Sequence, residues 1–188
     1  FGLDITVASN QDGVVIIGSG VNLVNGGDDI IICRLDDEGN KLWVKYYSTS
    51  NDDEAFGITT AIDGGYIITG YTEDAQGDKD LLLVKIDENG NEEWANTYGG
   101  AFDDIGNAVR QKANGNFVMT GYTEVSSSDK NIYVLEVDND GAVISENSFG
   151  GITGQTDEGV DLVIANDGTI FITGRTGNNS NMAVLKLS

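Results

Sequence analysis

Asp63-Gly64-Gly65-Tyr66-Ile67-Ile68-Thr69-Gly70-Tyr71-Thr72 is the stretch that decides the fold, because the chain repeats it. Its turn pair has counterparts in Asp12-Gly13, Asn114-Gly115 and Asp167-Gly168, a period of 51 to 53 residues. Each pair opens a β-rich run that ends in Gly: Val14 to Gly18, Tyr66 to Gly70, Phe117 to Gly121 and Thr169 to Gly174. A fixed period of this length marks stacked structural units, each unable to bury its apolar face alone.

Working outward, a polar loop follows each run, and then a second apolar run: Ile30 to Leu35, Leu81 to Ile86, Ile132 to Val137 and Met182 to Leu187. In three copies an Asp-x-x-Gly turn comes next (Asp36 to Gly39, Asp87 to Gly90, Asp138 to Gly141), with Gly free to take the positive φ of a tight hairpin. A further strand then carries Trp43 and Trp94, with Ser145 at the matching place. Alternating segments upstream, such as Phe56 to Ile62 and Val160 to Ala165, complete four strands, A to D, in up-and-down order. The chain has no Pro and 26 Gly, which suits paired strands joined by many turns.

A four-stranded sheet of this size must cover both faces with its neighbours, and radial stacking is the solution that repeats. The predicted fold is therefore all-β, a β-propeller of four-stranded antiparallel blades; a β-helix coil of about 20 residues is too short for this period. The blades fall at 1–53, 54–104, 105–158 and 159–188, the last lacking its outer strand. The four blades read as part of a larger propeller of about six to eight blades, as a segment completed by another chain, or as a closed four-bladed ring. The strand at 182–188 is left as an edge that invites pairing with a missing segment or another chain. An opening at Phe1, without Met or a secretion signal, reads as an internal boundary.

Charge narrows the function. The chain holds 31 acidic and 10 basic residues, a net charge of −21, and no His. Phosphate binding needs clustered Lys and Arg, so nucleic acid and anionic membrane surfaces are excluded as partners. No apolar run approaches the roughly 18 residues of a membrane span, so membrane insertion is excluded too. The lone Cys33 permits no intrachain disulfide and is expected as a buried structural thiol, since no His is present to activate it. No catalytic residue is assigned and the chain is read as no enzyme; a carboxylate pair acting on glycans is the catalytic alternative.

The long B-to-C loops (19–29, 72–80, 123–131, 175–181) and D-to-A connections (48–55, 99–105, 150–159) emerge on one face, the expected recognition surface. The pairs Asp52-Asp53, Asp103-Asp104 and Asp157-Glu158 recur just before strand A. Such oxygen-rich positions are candidate Ca²⁺ ligands, against the plainer reading that each carboxylate caps backbone N–H groups of the neighbouring blade. No other cofactor is expected. Tyr71, Tyr122 and Arg175 follow the strand B Gly and are candidate ligand-binding residues, against the plainer reading that they pack between blades. Trp43 and Trp94 are expected to dock between adjacent blades.

The run at 63–72, continued by Asp78-Lys79-Asp80-Leu81-Leu82-Leu83-Val84-Lys85-Ile86-Asp87 and Asn89-Gly90-Asn91-Glu92-Glu93-Trp94, resembles the β-propeller repeats of large secreted and cell-surface proteins of bacteria and archaea. The Asp-x-x-Gly-x-x-x-Trp element is also similar to the tryptophan-docking motif of quinoprotein propellers, with a turn one residue shorter and no Trp in blade 3. The first resemblance implies an extracellular or cell-surface location and a non-enzymatic scaffold or recognition module, binding a protein or glycan partner through its acidic loops. A Ca²⁺-stabilised module of a large adhesin is the alternative.

Overall fold

The computed structural model describes residues 2–21, 27–49, 51–151, 154–177 and 181–187. Among the described residues, fifteen strands form four antiparallel sheets in chain order. The first blade is β1 (Gly2–Val7), β2 (Val14–Val21), β3 (Asp28–Leu35) and β4 (Lys41–Tyr47). The second is β5 (Asp53–Thr60), β6 (Tyr66–Glu73), β7 (Lys79–Ile86) and β8 (Glu92–Tyr98). The third is β9 (Asp104–Gln111), β10 (Phe117–Ser126), β11 (Asp129–Val137) and β12 (Val143–Phe149). The fourth holds three described strands, β13 (Glu158–Ile164), β14 (Ile170–Thr176) and β15 (Asn181–Leu187). The expected propeller blades are thus present, the second, third and fourth opening with strands that start one residue before the boundaries read from the sequence.

Inner strands line up side by side: β1 packs on β5, β5 on β9, and β9 on β13. Among the described residues no comparable packing joins β13 to β1, so the four blades form an arc whose end faces are open. Three apolar seams hold the arc together. Val15, Ile17, Ile30 and Ile32 of the first blade meet Ile58, Tyr66, Ile68 and Val84 of the second. Ile67, Leu81 and Leu83 meet Val109, Phe117, Met119 and Leu135. Val118, Ile132 and Val134 meet Leu162, Ile170 and Ile172.

The Thr-Gly of the repeat acts at these seams. A Cβ at Gly121 would stand 1.8 Å from the Ile105 carbonyl oxygen on the neighbouring strand, and one at Gly70 equally close to that of Glu54, so only Gly fits opposite the bulge there. The preceding Thr reaches into the next blade: a Cβ at Gly106 would lie 2.0 Å from Thr69 Oγ1, and one at Gly159 would lie 2.1 Å from Thr120 Oγ1. A Thr knob on strand B and a Gly hole on the next strand A thus set the blade spacing.

At the outer edge the tryptophans do what the turn motif requires. Trp43 lies against the turn at Gly90, where a Cβ would come within 2.9 Å of its ring. Trp94 Nε1 donates to the Asn139 carbonyl at 3.0 Å, and the Tyr98 hydroxyl donates to the Gly141 carbonyl at 2.6 Å. Ser145 cannot do this, and a cleft of about 400 Å³, lined by Ser145, Phe149, Val134, Glu136 and Lys186, opens in the seam between the third and fourth blades. Cys33, expected to be buried, is only half-buried. It pairs with Ile16 on the face of the first blade that no neighbour covers.

Candidate functional site

The candidate carboxylates sit where β5, β9 and β13 begin or just before, at the edge of the arc that carries the long loops. Asp53, Asp104 and Asp157 are all buried. Each accepts a backbone hydrogen bond from the connection leading to it: Asp53 from Thr49 N at 2.6 Å, Asp104 from Gly100 N at 2.7 Å, and Asp157 from Gly151 N at 2.7 Å. Asp157 also accepts from Gly177 N at 3.0 Å and from the Thr176 hydroxyl. One residue type therefore locks each D-to-A connection onto the strand it feeds.

Their electrostatics differ with this bonding. Burial raises the pKa of Asp53 and Asp104, against hydrogen bonds from Thr72 and Thr49 in one case and from Thr123 and Gly100 in the other. Burial works the same way on Asp157, but its bonds from Thr176, Gly151 and Gly177 hold it below the ordinary value. The Tyr47 hydroxyl is pushed up to about 12 by burial and by the adjacent Asp53.

The other members of the three pairs do separate things. Asp52 Oδ1 accepts from Asp28 N at 3.0 Å, and Asp103 Oδ1 accepts from Lys79 N at 3.1 Å, each tying strand C of one blade to the start of the next. Glu158 pairs with Arg175 at 2.5 Å and accepts from Asn107 Nδ2 at 2.8 Å. The structural counterpart of Asp53 and Asp104 is thus Asp157, so Thr156, and not Asp157, matches Asp52. Among the described residues, no group of three or more His, Cys, Asp or Glu side chains is placed to hold a metal ion.

Tyr71 and Tyr122 are buried and pack with Ile105 and Phe56 between the second and third blades. The Tyr71 ring meets Phe56 at 5.9 Å and carries the Lys79 ammonium 4.0 Å above its centre; Lys130 lies 3.7 Å above that of Tyr122. Burial, with Asp103 nearby, pushes the Tyr122 hydroxyl up to about 12. Arg175 is exposed and paired with Glu158. The structure therefore separates the three candidate ligand residues: two tyrosines inside a seam, one arginine on an open face.

A Ser-x-x-Lys spacing, Ser127 to Lys130, runs from the exposed end of the third B-to-C hairpin to the lysine held over Tyr122. Lys85 is a charged residue that its apolar surroundings in the sequence conceal. It is 1% exposed in the apolar run of β7, and its ammonium meets Asp63 at 3.0 Å and Glu93 at 2.7 Å. A signal for it existed, since Arg34, Lys85, Glu136 and Lys186 all interrupt otherwise apolar strands at one register position. A groove of about 300 Å³ lined by Ser9, Asn10, Arg34, Trp43, Tyr66 and Asn89 lies between the first and second blades near the opposite, short-turn edge.

No protein-family model matches the chain, and no curated protein matches it in sequence. Two solved structures are similar in shape. One is a protein provisionally named a gluconolactonase, at 8% identity and a TM-score of 0.45, covering 100% of this chain and 78% of that one. The other is described as a eukaryotic initiation factor, at 8% identity and a TM-score of 0.43, covering 98% of this chain and 52% of that one. Likeness of this degree carries nothing about activity, and the propeller reading rests on the blades themselves.

Proposed function

We propose that the chain is a non-enzymatic scaffold and recognition module of an extracellular or cell-surface protein, presenting an acidic loop edge to a protein or glycan partner. The observation that carries this reading is the repeated carboxylate lock. One carboxylate oxygen each of Asp53 and Asp104, and both of Asp157, fix the connections at each blade junction, and the fixed edge then carries Asp78 exposed and Asp28, Asp52, Glu54, Glu73 and Glu124 half-buried. Lys79 and Lys130 lie over tyrosine rings, and the carboxylates of this edge outnumber them. A rigid frame that positions charged loops is the usual architecture of a binding surface. The test is binding to a glycan array and to immobilised basic peptides, comparing the chain with the variant Glu73→Lys/Asp78→Lys. Loss of the bound signal in the variant supports the reading. Equal binding, or hydrolysis of any arrayed glycan that stops when an edge carboxylate is neutralised, contradicts it.

A Ca²⁺-stabilised module is the second reading, favoured by one residue. Asp29 is 2% exposed, and neither of its carboxylate oxygens has a hydrogen-bond partner. A buried carboxylate without a partner is costly, and a hard cation with oxygen ligands would relieve it. Melting with Ca²⁺ and with a chelator decides it, because a cation bound only to the folded chain must raise the melting temperature.

A further inference from the structure

Arg34 is a buried cation of the first blade that lacks both of the carboxylates holding its counterpart, Lys85, in the second. We infer that its groove, in the seam between these two blades at the short-turn edge, binds an acidic sugar, with Arg34 recognising the sugar's carboxylate.

The comparison is internal to the chain. Arg34, Lys85 and Glu136 hold one register position of strand C in the first three blades, opposite Val15, Ile67 and Val118 of strand B. Lys85 is held by Asp63 at 3.0 Å and by Glu93 at 2.7 Å. Glu136 is held by Lys112 at 3.1 Å and by Asn116 Nδ2 at 2.7 Å. In the first blade the counterpart of Asp63 is Asn10. Each lies two residues past the alanine whose N–H closes the A-to-B hairpin, and each accepts from a backbone N–H of its own turn. The counterpart of Glu93 is Leu42, because each precedes the tryptophan that pairs with the strand C cation. An amide and an alkyl chain thus stand where two carboxylates neutralise Lys85.

Arg34 is 4% exposed, and among the described residues no carboxylate lies within ion-pair distance of it. Its guanidinium donates to the Leu35 carbonyl and, at 2.9 Å, to Asn10 Oδ1. Two neutral acceptors leave the charge uncompensated, and a buried charge in that state is costly until an anion joins it. The planar fork of a guanidinium matches a carboxylate. The groove measures about 300 Å³, the low end for a small-molecule site and room for one sugar ring. Trp43 supplies an apolar wall. Ser9, Asn89 and the Tyr66 hydroxyl, which accepts from Ser9 N at 3.2 Å, supply polar groups for the ring hydroxyls. The site lies between two four-stranded blades, at the edge opposite the acidic loops, and does not depend on partner binding there.

The test is titration with glucuronate, glucose and acetate, followed by calorimetry and tryptophan fluorescence in about 0.15 M salt, where charges beyond about 8 Å are screened. The chain is compared with Arg34→Met and Leu42→Glu. Leu42 lines the groove and is 55% exposed, so Leu42→Glu disturbs little packing and returns to Arg34 the carboxylate that Glu93 gives Lys85. A cooperative melt establishes that each variant folds. Saturable one-to-one binding of glucuronate in the millimolar range is expected, with glucose and acetate at least about tenfold weaker because each lacks one half of the match. Leu42→Glu, and Arg34→Met where it folds, should weaken glucuronate at least about tenfold. The inference is overturned by an absence of saturable glucuronate binding, by glucose or acetate binding as tightly, or by undiminished binding to folded Leu42→Glu.

Discussion

Trp94 of the second blade donates its indole N–H to the backbone carbonyl of Asn139, in the hairpin turn of the third, at 3.0 Å. The outer strand of one blade thereby holds the turn of the next. Trp94→Ala should cost about 3 kcal/mol, the low end for a large aromatic because the ring is only half-buried. Trp94→Phe, which keeps most of the ring but not the N–H, should cost about 1 kcal/mol. Urea denaturation of the two variants checks the order; equal losses would mean that the hydrogen bond contributes nothing.

Lys85 tests how a buried charge is tolerated in an apolar seam. Its partners Asp63 and Glu93 are 42% and 46% exposed, so water already serves them. Lys85→Met should therefore change stability by less than about 1 kcal/mol, while Asp63→Asn combined with Glu93→Gln strands the ammonium and should cost about 3 kcal/mol. The reverse ranking in chemical denaturation would show that the carboxylates do not hold the lysine.

The knob and hole between blades predict an energetic coupling. Gly106→Ala places a methyl 2.0 Å from Thr69 Oγ1 and should cost about 2 to 4 kcal/mol. Thr69→Ala removes the obstructing hydroxyl, so the double variant should recover part of that loss. Strict additivity in a double-mutant cycle would remove the contact from the account.

Stability should pass through a maximum in weak acid. Burial raises the pKa values of Asp53, Asp80 and Asp104, so the folded chain binds these protons more tightly than the unfolded one; this contribution is present at low pH and is lost as pH rises through the raised values. Asp63 and Asp157 go the other way: burial is outweighed by the bonds from Lys85 and Gly65 in one case and from Thr176, Gly151 and Gly177 in the other. Their contribution holds above the ordinary value of 3.8 and is lost as pH falls through the lowered values. Urea midpoints from about pH 7 to about pH 2.5 should first rise and then fall. A steady decline from pH 7 would contradict this.

The frame of the fold was legible in the sequence because its signals are local. Asp63-Gly64 demands a hairpin, and Gly64 does take a φ of 101°. Alternation then fixes the strands, and the period fixes the units. The lock formed by Asp53, Asp104 and Asp157 was half legible: spacing located the carboxylates, but Asp157-Glu158 looked like the third pair until the bond from Gly151 N identified Asp157 as the counterpart of Asp53. For Tyr71 and Tyr122 the sequence left ligand contact and packing between blades both open, because it does not say which face of β6 and β10 meets the next blade; the structure places both rings in a seam. Cys33 misled for the opposite reason: its apolar run signals burial, and burial depends on a blade beyond the first.

The central claim is that successive repeats pack as neighbouring blades with their inner strands side by side. Thr6 on β1 and Thr60 on β5 place their hydroxyl oxygens 3.2 Å apart across the first seam. In a Cys33→Ser background, Thr6→Cys with Thr60→Cys should close a disulfide under mild oxidation, seen as the loss of two hydrogens by intact mass and of both free thiols. If the thiols stay free while the folded chain is otherwise unchanged, β1 does not lie against β5, and the arrangement of blades described above is wrong.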